Sequence, residues 1–303
     1  MIRVLRLAAC WLLLVACGFA QPTEKAATVA TGVAPIFAQP SEGSEQVTQV
    51  LYGDEISVLD RQGEWLKVVV PAQYRTPQGY PGWVRAKFLS PHSENYPQRM
   101  VTVAYPTVSL RTGPSVDAPV VERVYLASRL PVASEKTLEG EKWYGIARED
   151  GPLWVRATQV TQEKPLQPGQ GARLVDLARK FEGTPYLWGG MTSKGIDCSG
   201  FMYTIYRTHG ITLPRDADQQ FEVGLAVEKN ELMPGDMVFF GQPGDITHVG
   251  MYAGDGRFVH ASGGSGVIES VLFQGWYLQN YRGARRALEK SGNEPRTLRP
   301  ATL

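Results

Sequence analysis

The sequence predicts two small all-β barrels followed by an α+β domain, and three observations carry that expectation. A β-rich pattern is written twice in the amino-terminal half of the chain. A polar Pro/Gly stretch then separates that half from the rest. The remaining segment places helical stripes first and a run of short strands after them, the order of an α+β domain. With 303 residues, 43% of them hydrophobic and 20% charged, the chain can bury several modest cores and is not wholly disordered.

Residues 1–20 read MIRVLRLAACWLLLVACGFA, with Arg3 and Arg6 ahead of a short apolar run that ends in small residues. This is the pattern of an export signal, and the run is too short for a membrane span of about twenty apolar residues. Two processing sites are open. Leu14-Val15-Ala16-Cys17 resembles the lipobox of bacterial lipoproteins, which would make Cys17 a lipid anchor and allow membrane attachment. Gly18-Phe19-Ala20 instead offers small residues at alternate positions for cleavage before Gln21. In either case Cys10 leaves with the signal, and the mature protein works in the cell envelope.

Residues 26–90 contain short strand-like runs at Val47–Tyr52, Glu55–Leu59, Trp65–Val70 and Gly82–Leu89, as expected for a first barrel. Residues 100–161 repeat the plan. Gly63-Glu64-Trp65 and Gly82-Trp83-Val84-Arg85 correspond to Gly140-Glu141-Lys142-Trp143 and Leu153-Trp154-Val155-Arg156, a Trp on the third strand and W-V-R on the last. The tryptophans are expected to fill the small cores. Leu110-Arg111-Thr112-Gly113-Pro114-Ser115 resembles the start of bacterial SH3-like cell-wall modules. Residues 162–172 read as a linker, 173–288 as the α+β domain and 289–303 as a loose tail.

In the α+β segment Leu174, Leu177, Ala178 and Phe181 recur at helical spacing, and Gly183 with Pro185 stops that helix. Phe201, Met202, Ile205 and Tyr206 mark a second helix from Cys198, and a third is expected near Asp216. Strands are expected at Met237–Phe240, His248–Tyr252, Arg257–His260 and Val267–Ser270.

The chain's three cysteines are Cys10, Cys17 and Cys198, so a disulfide framework and a cysteine zinc site are both excluded. The 31 basic and 30 acidic side chains leave a net charge of +1, without the basic excess of a nucleic-acid binder. No cofactor fingerprint or metal constellation is present: Gly254-x-Gly256 stands alone, and Gly263-Gly264-Ser265-Gly266 lacks the Lys-Ser/Thr of a phosphate loop.

Cys198 opens a helix, where unsatisfied backbone N–H groups favour a thiolate, and Asp197 is placed to cap that helix although its charge opposes the effect. A thiol nucleophile needs a base. Of the four histidines, His92 lies in the connector between barrels and His209 at a helix end, where a solvated imidazole complements the dipole. His248 and His260 flank a predicted hairpin. An Ala-Gly-Asp turn that pairs Tyr252 with Gly256 would set the two imidazoles directly opposite each other.

Tyr186-x-Trp188-Gly189-Gly190, Asp197-Cys198-Ser199-Gly200-Phe201, Leu213-Pro214-Arg215, Pro234-Gly235-Asp236, His248-Val249-Gly250-Met251-Tyr252 and Phe258-Val259-His260-Ala261 together resemble the NlpC-type cell-wall cysteine peptidases. The resemblance implies a papain-like α+β fold, Cys198 as nucleophile, His248 as base, His260 as its orienting partner and Tyr186 beside the oxyanion site. It implies peptidoglycan-derived peptides as substrate, cut after γ-linked D-glutamate, with Asp197 and Ser199 contacting the dipeptide. Two SH3-like domains ahead of such a domain resemble the subgroup that releases L-Ala-γ-D-Glu from peptides with a free amino terminus. There an aromatic and an acid of the first barrel hold the amine; the resemblance points to Tyr80 and to Asp54, with Glu55 as the other choice. Ala217 stands where the subgroup often has a small hydroxyl residue. Wall-binding barrels on a broad endopeptidase, or amidase or acyl-transfer chemistry on the same scaffold, remain alternatives.

Overall fold

The computed structural model describes residues 25–91, 97–162, 166–167, 169–287 and 296–300. The expected export signal with Cys10 and Cys17, His92, and parts of the linker and tail lie outside the described residues.

The first W-V-R repeat forms β1 (Lys25–Val29), β2 (Val33–Phe37), β3 (Gln46–Leu51), β4 (Glu55–Gln62), β5 (Trp65–Val70), β6 (Tyr80–Arg85) and β7 (Leu89–Pro91). The second forms β8 (Met100–Val103), β9 (Thr107–Arg111), β10 (Val120–Tyr125), β11 (Arg129–Leu138), β12 (Glu141–Ile146), β13 (Leu153–Arg156) and β14 (Val160–Thr161). Strand orders β3-β2-β6-β5-β4-β1-β7 and β10-β9-β13-β12-β11-β8-β14 are the same topology written twice.

The central clusters of the barrels are mainly aliphatic, so tryptophan fills them only in part: Trp65 and Trp143 are buried beside those clusters, and Trp83 and Trp154 are only half-buried. Val29, Ala34, Ile36, Val50, Ile56, Val68, Val70 and Val84 make up the first. Trp65 instead pairs in register with Arg85, whose guanidinium stacks 4.7 Å from its ring, and Trp143 pairs with Arg156 at 5.6 Å. The repeated motif therefore encodes an indole buried beside the core and covered by the arginine of W-V-R, a cation–π contact that keeps a large ring off solvent.

The third unit is α+β. Its elements are α1 (Ala172–Arg179), β15 (Met191–Thr192), β16 (Gly195–Ile196), α2 (Cys198–Arg207), β17 (Ile211–Thr212), α3 (Ala217–Phe221), β18 (Leu225–Val227), β19 (Met237–Gln242), β20 (Asp245–Gly254), β21 (Arg257–Ser262), β22 (Gly266–Val271), α4 (Gly275–Asn280), β23 (Tyr281–Arg286) and β24 (Arg296–Thr297). The sheet runs β18-β23-β19-β20-β21-β22, antiparallel throughout. All of α2 is buried, as its apolar sequence demands of a central helix. Three elements carry no clear sequence signal: α4 is only six residues long, β18 only three, and β23 reads YRGARR, in which arginine masks the strand period. Residues 296–297 pair in parallel with 211–212, so this part of the segment read as a loose tail is tied to the domain.

Both barrels dock on this unit. Arg207 of α2 pairs with Asp54 at 2.5 Å, Gln49 Oε1 accepts from the Met191 amide at 2.9 Å, and Gln46 Nε2 donates to the Trp188 carbonyl at 2.8 Å. The second barrel contributes Thr107, 2.6 Å from Ser193 Oγ, and buries Tyr125, Leu126 and Ala127 in the core around α2.

Candidate active site

Asp197 holds extended backbone ahead of α2, and its Oδ1 accepts from the Gly200 amide at 2.6 Å. This N-cap fixes Cys198 as the first residue of the helix, buried and 7% exposed. Gly200 is required here: a Cβ would lie 2.3 Å from the Gly190 carbonyl oxygen, so only glycine lets the Trp-Gly-Gly loop cross the first turn.

The charge of Asp197 is balanced by Arg215, which is 1% exposed. Its guanidinium reaches Asp197 Oδ2 at 2.6 Å and Oδ1 at 3.1 Å, Ser199 Oγ at 3.1 Å, and Thr48 Oγ1 of the first barrel at 2.9 Å. One buried arginine thus ties the cap, the helix and the barrel together. Burial and the Asp197 charge push the Cys198 thiol up to about 12, against the backbone amides of Val249 and Ser199, which favour the thiolate. Tyr186 lies beside Cys198 in the site, and burial, with the neighbouring Cys198 and Asp197, raises its pKa.

Val249 brings the base alongside. His248 Nε2 lies 2.9 Å from His260 Nδ1, with the rings nearly perpendicular at 83°. The hairpin that joins them differs from the expected one. Asp255 and Gly256, both at positive φ as a type I′ turn needs, form the turn, and Ala253 is an extra residue on β20. Met251 therefore pairs with Val259, and His248 sits diagonally across from His260 instead of directly opposite. Gly250 fills the position beside His260, where a Cβ would come 2.9 Å from the His260 Cβ and 2.6 Å from the Phe258 ring. Absence of that side chain gives the imidazoles room to meet. Burial depresses His248 to about 4, and burial with the neighbouring His248 depresses His260 to about 3. Burial therefore favours a neutral thiol and neutral imidazoles. His209 is not the solvated residue expected: burial and Arg173 lower it to about 4.

A cavity of about 480 Å³ leads away from Cys198. Tyr186, Asp197, Ser199, Asp216, Ala217 and Thr247 line it from the α+β domain, and Glu45, Val47, Arg75 and Tyr80 close it from the first barrel. Trp188 Nε1 donates to Glu45 Oε1 at 2.8 Å, and Arg75 bonds both Asp218 oxygens at 3.1 and 2.9 Å. Burial and the nearby Asp216 charge raise the Tyr80 hydroxyl, and burial raises the Asp216 carboxyl.

Tyr80 thus faces the cavity, but Asp54 does not. It is 3% exposed, accepts from the Leu51 amide at 2.8 Å and is neutralised by Arg207, so it cannot receive a substrate amine. Glu55 is exposed and is not among the lining residues. At the barrel end the cavity is lined by the acids Glu45, Asp216 and Asp218, which no local pattern marks because docking of the barrel brings them together. Ala217 lines the cavity without a hydroxyl.

The NlpC/P60 family model matches residues 183–286, and the bacterial SH3 domain model matches residues 32–90. A Bacillus cereus protein named gamma-D-glutamyl-L-lysine dipeptidyl-peptidase is 37% identical over 256 residues, 80% of this chain and 75% of its own length. The chain belongs to the NlpC/P60 family. A Bacillus subtilis protein of the same name is 34% identical over 71% of each chain. The crystal structure of an NlpC/P60 family protein from Bacillus cereus superposes with a TM-score of 0.76 at 31% identity, covering 87% of this chain and 100% of that one. This NlpC/P60 protein is a cysteine peptidase of the cell wall, with a papain-like domain behind SH3-like sheets.

Proposed function

We propose that this enzyme hydrolyses the γ-D-glutamyl bond to the diamino acid in peptidoglycan stem peptides and releases L-Ala-γ-D-Glu from those with a free amino-terminal L-Ala. The observation that carries this reading is that the first barrel helps to wall the cavity at Cys198: Glu45, Tyr80 and Arg75 line it together with Asp216 of the α+β domain. Three carboxylates, Glu45, Asp216 and Asp218, face one exposed arginine there, an environment suited to an ammonium group. The similarly named Bacillus relatives support it.

In the reaction, Cys198 Sγ gives its proton to His248 Nδ1, the ring nitrogen left free by His260, as sulfur attacks the γ-carbonyl carbon. The Tyr186 hydroxyl and the amides at the start of α2 stabilise the oxyanion. The carbon–nitrogen bond breaks, the His248 imidazolium donates its proton to the leaving α-amine, and a thioester of the dipeptide remains. Water, deprotonated by His248, then attacks the thioester, releasing the dipeptide and returning the proton to sulfur.

An acylated L-Ala, as in stems still attached to glycan, offers no ammonium and meets the barrel wall. We expect N-acetylation of L-Ala-γ-D-Glu-diamino acid to lower kcat/KM at least tenfold, the scale of a lost charged hydrogen bond of about 1.5–3 kcal/mol. Equal rates on free and acetylated peptides would refute the role of the barrel. We further propose that residues 1–20 export the enzyme and that Cys17 anchors it to lipid. Cys17→Ser should then move the enzyme from the membrane fraction to the soluble fraction.

A further inference from the structure

His260 uses one ring nitrogen on His248 and has another to satisfy. Its Nε2 lies 3.0 Å from Ser270 Oγ and 3.3 Å from the Tyr277 hydroxyl. Ser270 is placed by the sheet: it pairs with Phe258 across β21 and β22, two residues along from His260 on the same face. Tyr277 comes from α4, its ring 5.3 Å from His260 and nearly perpendicular to it. Phe258 stacks on the other side at 4.5 Å. His260 is 0% exposed, so it depends on these two hydroxyls for the hydrogen bond that water would otherwise give.

A single proton lies between His248 Nε2 and His260 Nδ1, and it can belong to either ring. If His248 owns it, His248 Nδ1 is a lone pair able to accept the thiol proton. If His260 owns it, the His248 proton sits on Nδ1 and the base is lost. The Nε2 side of His260 biases the choice. A lone pair there can accept from one hydroxyl only, which strands the other oxygen against it. An N–H can instead be shared between two oxygens, each with lone pairs to spare. We propose that Ser270 and Tyr277 are positioning residues that hold His260 as its Nε2–H tautomer, leaving His260 Nδ1 to accept from His248 and His248 Nδ1 free to take the thiol proton. Without both hydroxyls, a buried Nε2–H has no partner, so the proton moves to Nδ1 and His248 switches to its unreactive form.

This inference rests on the cysteine-peptidase reading of the site but not on which peptide is cut. Two measurements on the full chain test it. In the first, Ser270→Ala/Tyr277→Phe should lose about tenfold in kcat with KM within twofold, and each single substitution should lose less. Ser270→Thr, which keeps a hydroxyl, should recover activity relative to Ser270→Ala. A double variant within twofold of native kcat, a defect expressed only in KM, or a loss that threonine does not relieve would each overturn the proposal. The second is nitrogen NMR of histidine-labelled enzyme without substrate. His260 Nε2 should give a pyrrole-type, protonated signal in the native protein and move toward the pyridine type in the double variant. A native His260 protonated on Nδ1 would overturn it whatever the substrate is.

Discussion

Replacing Arg215 with methionine keeps most of the apolar stem and deletes the charge. The guanidinium is 1% exposed and holds both oxygens of Asp197, itself only 5% exposed, together with Ser199 and Thr48. Its loss leaves a buried carboxylate without a counter-charge, a change that costs about 3–5 kcal/mol in comparable pairs. At about 2–4 °C per kcal/mol, the melting temperature should fall by about 6–20 °C. Without the guanidinium Asp197 is held less firmly as the cap of α2, and Cys198 loses its fixed position. Activity should therefore drop more steeply than the folded fraction at the assay temperature. Calorimetry combined with dipeptide release measures both. Adding Asp197→Asn removes the stranded charge, so the double variant should be more stable than the sum of the single losses predicts. A methionine variant that melts within 2 °C of native and keeps kcat/KM within twofold would refute the reasoning, as would strict additivity in the cycle.

Acid should unfold the enzyme through its histidines. His209 and His248 are lowered to about 4 and His260 to about 3, against 6.5 unfolded, so the unfolded chain binds more protons below pH 6.5. Their contribution to stability is complete above pH 6.5 and is lost as pH falls toward 4; a melting temperature unchanged between pH 7 and pH 4.5 would contradict this. With the thiol pushed up to about 12, alkylation of Cys198 should keep accelerating from pH 7 to 9, and a pH-independent rate across that range would instead indicate a preformed thiolate–imidazolium pair. Gly250→Ala should abolish activity, because its Cβ lies within 2.9 Å of His260 and 2.6 Å of Phe258; retained turnover would show that the histidine pair tolerates displacement.

Much of this site could be read along the chain because its key residues begin or flank local elements. Cys198 starts a helical stripe behind a capping residue, and the two histidines bracket one hairpin. The hairpin register was less legible: the Asp255-Gly256 turn and the extra Ala253 shift the pairing, yet the sheet face still brings the rings together. What escaped depended on contacts between distant segments. The family resemblance points to Asp54 as the amine's acid, but its fate is set by Arg207, 153 positions away. Glu45 and Asp216 meet only once the barrel has docked, and Ser270 could have been found by extending the strand register past His260. The tryptophans are a related case: Trp65 and Trp143 are buried, but the arginines that cover them lie on the neighbouring strand.

The most direct test of the account is mass spectrometry of the products that native and Cys198→Ala enzymes make from a defined stem peptide beginning with free L-Ala. The native enzyme should yield L-Ala-γ-D-Glu and a peptide beginning with the diamino acid, while folded Cys198→Ala yields neither. Cleavage at a different bond, or turnover by the alanine variant, would contradict it.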